Sequence, residues 1–123
     1  MSTCQSFVSL ASAARTAAVT GVDVASNSAD GVRVILDVTV DPAAASITLT
    51  IQGKDPISGS YYTLLTGAAV AGVGTTTYTV YPPITAVANV AASAVLPSVF
   101  RINMAVADTD SMTYSVNYEL IRG

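Results

Sequence analysis

Ser46-Ile47-Thr48-Leu49-Thr50-Ile51-Gln52-Gly53-Lys54-Asp55-Pro56-Ile57-Ser58-Gly59-Ser60-Tyr61-Tyr62-Thr63-Leu64-Leu65 is the stretch that decides the fold. Ile47, Leu49 and Ile51 alternate with Thr48, Thr50 and Gln52, the two-residue period of a strand with one dry and one wet face. Gly53 to Ser60 collects turn formers: Pro56 presets φ, Asp55 can bond its own backbone, and Gly53 and Gly59 permit positive φ. Tyr61 to Leu65 resumes as a β-prone partner, so 46–65 reads as a β-hairpin with a long tip.

The same period recurs on both sides. In Val32 to Asp41, residues Val32, Val34, Leu36, Val38 and Val40 share one face; Arg33, Asp37, Thr39 and Asp41 take the other, with Ile35 out of pattern. Asp41-Pro42 ends that strand. Downstream, Phe100, Ile102, Met104 and Val106 alternate with Arg101 and Asn103. Met112, Tyr114, Val116, Tyr118 and Leu120 then alternate with Thr113, Ser115, Asn117 and Glu119. The turn Asp108-Thr109-Asp110-Ser111 lies between them, which predicts a second antiparallel hairpin.

Weaker signals fill the rest. Arg15 to Ala25 reads as a first strand interrupted at Gly21, where a bulge is expected. Ser26 to Gly31 is a turn. A short strand is expected around Ala68 to Ala71 and another over Thr75 to Tyr81, closed by Pro82-Pro83. Ile84 to Leu96 mixes alanine with valine and reads as a long connection with short strand pieces. Met1 to Ala14 is Ser/Ala-rich and is expected to be a flexible arm, with Phe7, Val8 and Leu10 as its anchors on a neighbouring subunit. The expected organisation is an arm over 1–14 and a single domain over 15–123. The expected fold is all-β: a two-sheet antiparallel β-sandwich of Ig-like or jelly-roll type with about seven or eight strands.

Composition narrows the function. The chain has 123 residues, 51% of them hydrophobic, enough for one core without metal or disulfide staples. Only 11% are charged, against roughly 25% in an average soluble protein. Thr, Ser, Asn and Ala stand where Lys and Glu usually would, so the wet faces are neutral and have little charge to repel neighbours. Much of that surface is expected to meet other subunits. The net charge is −3, and Arg15, Arg33, Lys54, Arg101 and Arg122 are scattered. Nucleic-acid binding, which needs clustered cations, is not expected. Nor is a membrane role: no basic amphipathic helix occurs, and Ile84 to Phe100 is too broken to cross a bilayer. Met1 to Leu10 lacks the basic region of a secretory signal.

The usual chemistry finds few reagents. There is no histidine to serve as a base, and Cys4 is the single cysteine. A nucleophilic triad and a zinc cluster therefore have nothing to build on. The single lysine, Lys54, sits in an exposed turn. Asp108 and Asp110 could contribute to a calcium site or act as paired carboxylates on a glycoside, but two aspartates in a turn are accounted for by bonding to their own backbone. Tyr61 and Tyr62 suggest a carbohydrate platform, yet neighbouring strand residues face opposite sides, so at most one can belong to a flat face. No catalytic residue, cofactor or metal is expected.

The run Ile51 to Leu65 resembles a hairpin of small tailed-bacteriophage structural proteins of the head decoration or minor capsid type. Val80-Tyr81-Pro82, Ala86-Val87-Ala88-Asn89 and the strand-turn-strand from Val99 to Ile121 fit the same pattern, which covers about residues 31–121. The resemblance implies a virion component, made in the host cytoplasm. The expectation is a capsid decoration protein that binds the major capsid protein or other virion proteins as a symmetric homo-oligomer such as a trimer. A tail or head–tail joining protein is the alternative in the same setting. A carbohydrate-binding module for host attachment is the alternative of another class.

Overall fold

A computed structural model describes the backbone of residues 3–41, 45–107 and 110–122, and their side chains from Ser6 onward. Ten strands and no helix occur among these residues: β1 (Thr3–Arg15), β2 (Val24–Ala25), β3 (Gly31–Val40), β4 (Ser46–Lys54), β5 (Tyr61–Thr66), β6 (Val70–Ala71), β7 (Gly74–Val80), β8 (Ala91–Ala92), β9 (Val99–Val106) and β10 (Met112–Arg122). The count exceeds seven or eight because β2, β6 and β8 are two-residue pieces.

The strands form a two-sheet β-sandwich. Sheet A has the order β1-β10-β3-β7-β8; sheet B has β2-β9-β4-β5, with β6 also on β4. All pairings are antiparallel except β7 with β8. The alternation read from the sequence becomes burial. Val32, Val34, Leu36 and Val38 of β3 and Tyr114, Val116, Tyr118 and Leu120 of β10 point from sheet A into the core. Ile47, Leu49 and Ile51 of β4 and Phe100, Ile102 and Met104 of β9 meet them from sheet B. Each such side chain contributes roughly 1.5–3 kcal/mol by leaving water. Ile35, the residue out of pattern, lies half-buried on the outer face of sheet A.

The β4–β5 hairpin forms as expected, with Lys54 opposite Tyr61. The second expected hairpin does not. β9 pairs with β4 in sheet B, whereas β10 lies between β1 and β3 in sheet A. Alternation tells which side chains face inward but not which sheet a strand joins. Both edges of β10 are already occupied, so the chain crosses between sheets after β9 rather than folding back beside it.

The segment expected to be an arm is β1, hydrogen-bonded along β10 from Thr3↔Arg122 to Arg15↔Met112. Its register shifts between Val8 and Leu10 and again between Leu10 and Ala13. The strand expected over 15–25 is mostly a crossing: after Arg15 the chain passes to the edge of sheet B, bonds Met104 through Val19 in both directions (2.9 Å each), and forms β2. Gly21 is required there. A Cβ at this position would stand 2.1 Å from the Ile102 carbonyl oxygen. Asp41 holds the opposite end of the sandwich, its carboxylate accepting from the backbone N–H of Ala45 and of Gly72, each at 2.7 Å.

The core contains two hydroxyls, of Tyr78 and Tyr114, that are buried without a hydrogen-bond partner among the described residues. Burial raises both phenolic pKa values above the usual range. An unpaired buried hydroxyl costs about 1–3 kcal/mol, and removing it strands no partner. Tyr114→Phe is therefore expected to leave stability unchanged or raise it by about 1 kcal/mol, while Leu36→Ala in the same sheet lowers it by about 2–5 kcal/mol. Urea titration of both variants measures this; a Tyr114→Phe loss above about 1 kcal/mol would mean that the hydroxyl has a partner.

Candidate functional site

The wet faces of the two sheets differ. On sheet B, outward positions of β4, β5 and β9 come together because the register sets Gln52 opposite Arg101 and Lys54 opposite Tyr61. The Gln52 Oε1 accepts from Arg101 Nε and from Asn103 Nδ2, both at 2.8 Å. Asn103 Oδ1 accepts the backbone N–H of Gly21 at 2.9 Å, and so ties the crossing segment to β9. Asp23, just before β2, accepts from Lys54 Nζ at 2.7 Å and from the Tyr61 hydroxyl at 2.6 Å. The Arg101 guanidinium lies 3.5 Å from the centroid of the Tyr61 ring. The hydrogen bond from Lys54, with that from Tyr61, holds the Asp23 carboxyl below its ordinary range, and the same contact raises Lys54. This network joins three strands to the 16–23 crossing. It also covers one face of Tyr61, so that face is not an open platform for a sugar.

Tyr62 points the other way, as adjacent strand residues must. Its ring, partly exposed, lies against Gly53 and Pro97. The hairpin tip beyond is tied by its own hydrogen bonds. Asp55 accepts the N–H groups of Ile57 and Ser58 and the Ser58 hydroxyl, and Asp55 and Ser60 close the turn through N–H to C=O at 2.8 Å. Those donors, the Ile57 N–H first, lower the Asp55 pKa. Ile57 stands at the tip, 93% exposed.

On sheet A the outer face is quieter. A shallow depression of about 410 Å³ lies over β1, β10 and β3, lined by Ser6, Phe7, Val8, Ile35, Asn117, Tyr118 and Glu119. Arg33 and Glu119 make an exposed 3.5 Å ion pair beside it. The three residues expected as anchors part company here. Phe7 stacks on Tyr118 with ring centroids 5.2 Å apart, and Leu10 packs against the core. Val8 points outward and is 67% exposed. Arg15 ends the strand, donating to the carbonyls of Ala11, Ala13 and Tyr114.

Sequence reasoning marked Phe7, Val8, Tyr61 and Tyr62 but passed over Asp23, Gln52, Arg101 and Asn103. Three of those four occupied legible outward positions; Asp23 needed the strand order. Asp108 and Thr109, and the side chain of Cys4, lie outside the described residues, so the proposed aspartate pair is not among the features described. No group of three or more His, Cys, Asp or Glu that could hold a metal occurs among the described residues.

The architecture places the chain in the class of two-sheet β-sandwich domains. No protein-family model matches it, and no curated protein matches it significantly. Among solved structures, the SPBc2 prophage-derived protein YomS aligns over 98% of this chain and 95% of its own, with a TM-score of 0.56 and 13% identity. The PBSX exported protein XepA aligns over 97% of this chain and 37% of its own, with a TM-score of 0.62 and 14% identity. At such identities the likeness is one of fold.

The polar network makes a prediction with a definite sign. A carboxylate whose folded pKa is depressed stabilises the fold above its unfolded pKa, about 3.9, and that contribution is lost as pH falls through the folded value. Asp23→Asn removes the titrating group, so its thermal midpoint should be lower than that of the wild type at pH 7, with the gap narrowing as the pH is taken below 4. A gap of constant size from pH 7 to pH 2 would separate Asp23 from the acid response.

Proposed function

We propose that the chain is a bacteriophage virion structural protein, and that its role is capsid decoration: binding the outer surface of the shell and bracing it. The observation that carries this reading is the neutral, hydroxyl-rich exterior of the sandwich. Two sparsely charged faces and a long edge strand that is uncharged before Arg15 can meet other subunits with little charge repulsion. Support also comes from the resemblance of residues 31–121 to small tailed-phage structural proteins and from a fold shared with prophage-derived YomS. The partners in this reading are the major capsid protein and further copies of the chain, and the location is the virion. Nothing in the role calls for a reaction, so the protein acts as a non-enzymatic binder without a cofactor.

Binding would rest on surface burial and backbone pairing, spread over many weak contacts and multiplied by the symmetry of the shell. Deleting residues 1–14 is a poor probe of such binding, because it would uncover one edge of β10 and remove Phe7 and Leu10 from the core margin. Intact chains are the right material.

The test is to separate heads from tails after particle disruption and to quantify the protein in each by peptide mass spectrometry. Decoration requires it on heads, at a copy number that scales with the capsomers, and requires the purified protein to rebind stripped heads. Its presence in tails alone would transfer the role to tail or head–tail joining. Its absence from purified particles would remove the virion reading altogether.

A further inference from the structure

The long edge of sheet A is chemically unguarded along half its length. β1 is terminal in the order β1-β10-β3-β7-β8, so one side of its backbone meets no strand among the described residues. The other sheet edges are shorter. β2 and β8 have two residues each. β5 has six residues, about half the length of β1. Protein edges are normally blunted by charge, proline or bulges. From Thr3 to Ala14 there is neither a charged residue nor a proline. The bulges at Val8/Leu10 and Leu10/Ala13 protect only the second half. Residues 3–8 stay in regular register with β10 and keep a straight, neutral edge.

We propose that residues 4–8 of β1 pair antiparallel with the same residues of a second copy about a two-fold axis at Ser6, joining two A sheets into one. The free edge offers alternating N–H and C=O groups, which an extended backbone satisfies best. The register follows from two constraints. Residues opposite each other across an antiparallel pair share a face, so the axis must fall on a residue rather than between two. Of the two residues nearest the middle of 3–8, Ser6 keeps the exposed Val8 inside the paired stretch, whereas Gln5 leaves it outside. Electrostatics permit the pairing. Glu119 lies opposite Ser6 on β10 and is paired with Arg33. Its counterpart in the second copy would be three strand spacings away, about 14 Å, beyond the screening length of about 8 Å at physiological salt. Arg15, the one charge on β1, is held by its own carbonyls and lies outside the paired segment. The unit proposed is two-fold, where the resemblance led to the expectation of a symmetric oligomer such as a trimer. The inference concerns the purified chain in solution and stands whether or not the protein proves to be part of a virion.

Sedimentation equilibrium up to about 1 mM protein tests it, the range suited to a small interface. The wild type should show a monomer–dimer equilibrium. Ser6→Lys and Ser6→Glu each place like charges on the axis and should raise the dimer dissociation constant roughly tenfold or more. Ser6 is exposed in the single chain but stands opposite Glu119, so Ser6→Lys should keep the wild-type unfolding midpoint while Ser6→Glu lowers it slightly; both are compared well below their midpoints. Mixing the two should restore the dimer. In a Cys4→Ser background, Ser6→Cys should give a disulfide-linked dimer on mild oxidation and Ser12→Cys should not. A wild type that is monomeric throughout, dimers unaffected by Ser6→Lys, or equal cross-linking at position 12 would overturn the pairing.

Discussion

The structure depends on the contact between two inward faces that no single sheet can dry. A strand buries only every second side chain, so β3, β4, β9 and β10 each carry an apolar row that stays wet until a second sheet covers it. The core residues of β3 and β10 in sheet A and of β4 and β9 in sheet B are these rows. The other half of each strand has to face solvent or a neighbour. Here that half is mostly Thr, Ser, Asn and Gln, with few charges among them, and this choice, not the core, gives the molecule its character.

Closing the sandwich leaves edges, and the chain handles its four edges unequally. One stretch of chain serves two of them: β1 runs along the edge of sheet A, then residues 16–25 cross and line the edge of sheet B. The crossing is fixed in detail. Val19 bonds β9 in both directions, Gly21 approaches Ile102 more closely than any Cβ would allow, and Asn103 and the Asp23–Lys54 pair hold its polar atoms. The outward cluster of charge on sheet B is thus accounted for as a fastening. Its exposed ion pair is worth little alone. Its effect comes from joining Asp23, Lys54, Tyr61, Gln52, Arg101 and Asn103 across three strands.

How far the sequence could be read follows from what a two-residue period encodes. It encodes facing, so the inward residues of β3, β4, β9 and β10 were legible one by one, as were the β4–β5 hairpin and its Asp55 turn; only at the end of β3 does the row run past the core, where Val40 is 48% exposed. It does not encode partnership. The strands 99–106 and 112–122 have equally good inward faces whether they lie side by side or opposite each other, and only the occupancy of β10 by β1 and β3 decides. The role of 3–15 was hidden for a related reason. Two bulges break its alternation, so Phe7 and Leu10 do not read as members of one face, although both end against the core. Gln52 and Arg101 were visible as outward residues, but their meeting required the register of β4 with β9.

The same asymmetry explains why one edge is bound and the other bare. A segment that must turn from one sheet to the other needs side-chain anchors, because a two-residue strand supplies too few backbone bonds to hold itself. β1 rests chiefly on backbone bonds: a long ladder with β10 holds it, with the Phe7–Tyr118 stack and the Arg15 clamp added on the side that faces β10. Charges on its free side would add nothing to folding, and their usual value lies in keeping edges apart. An edge that is secured from behind and undefended in front leaves its outer N–H and C=O groups to water or to a second strand.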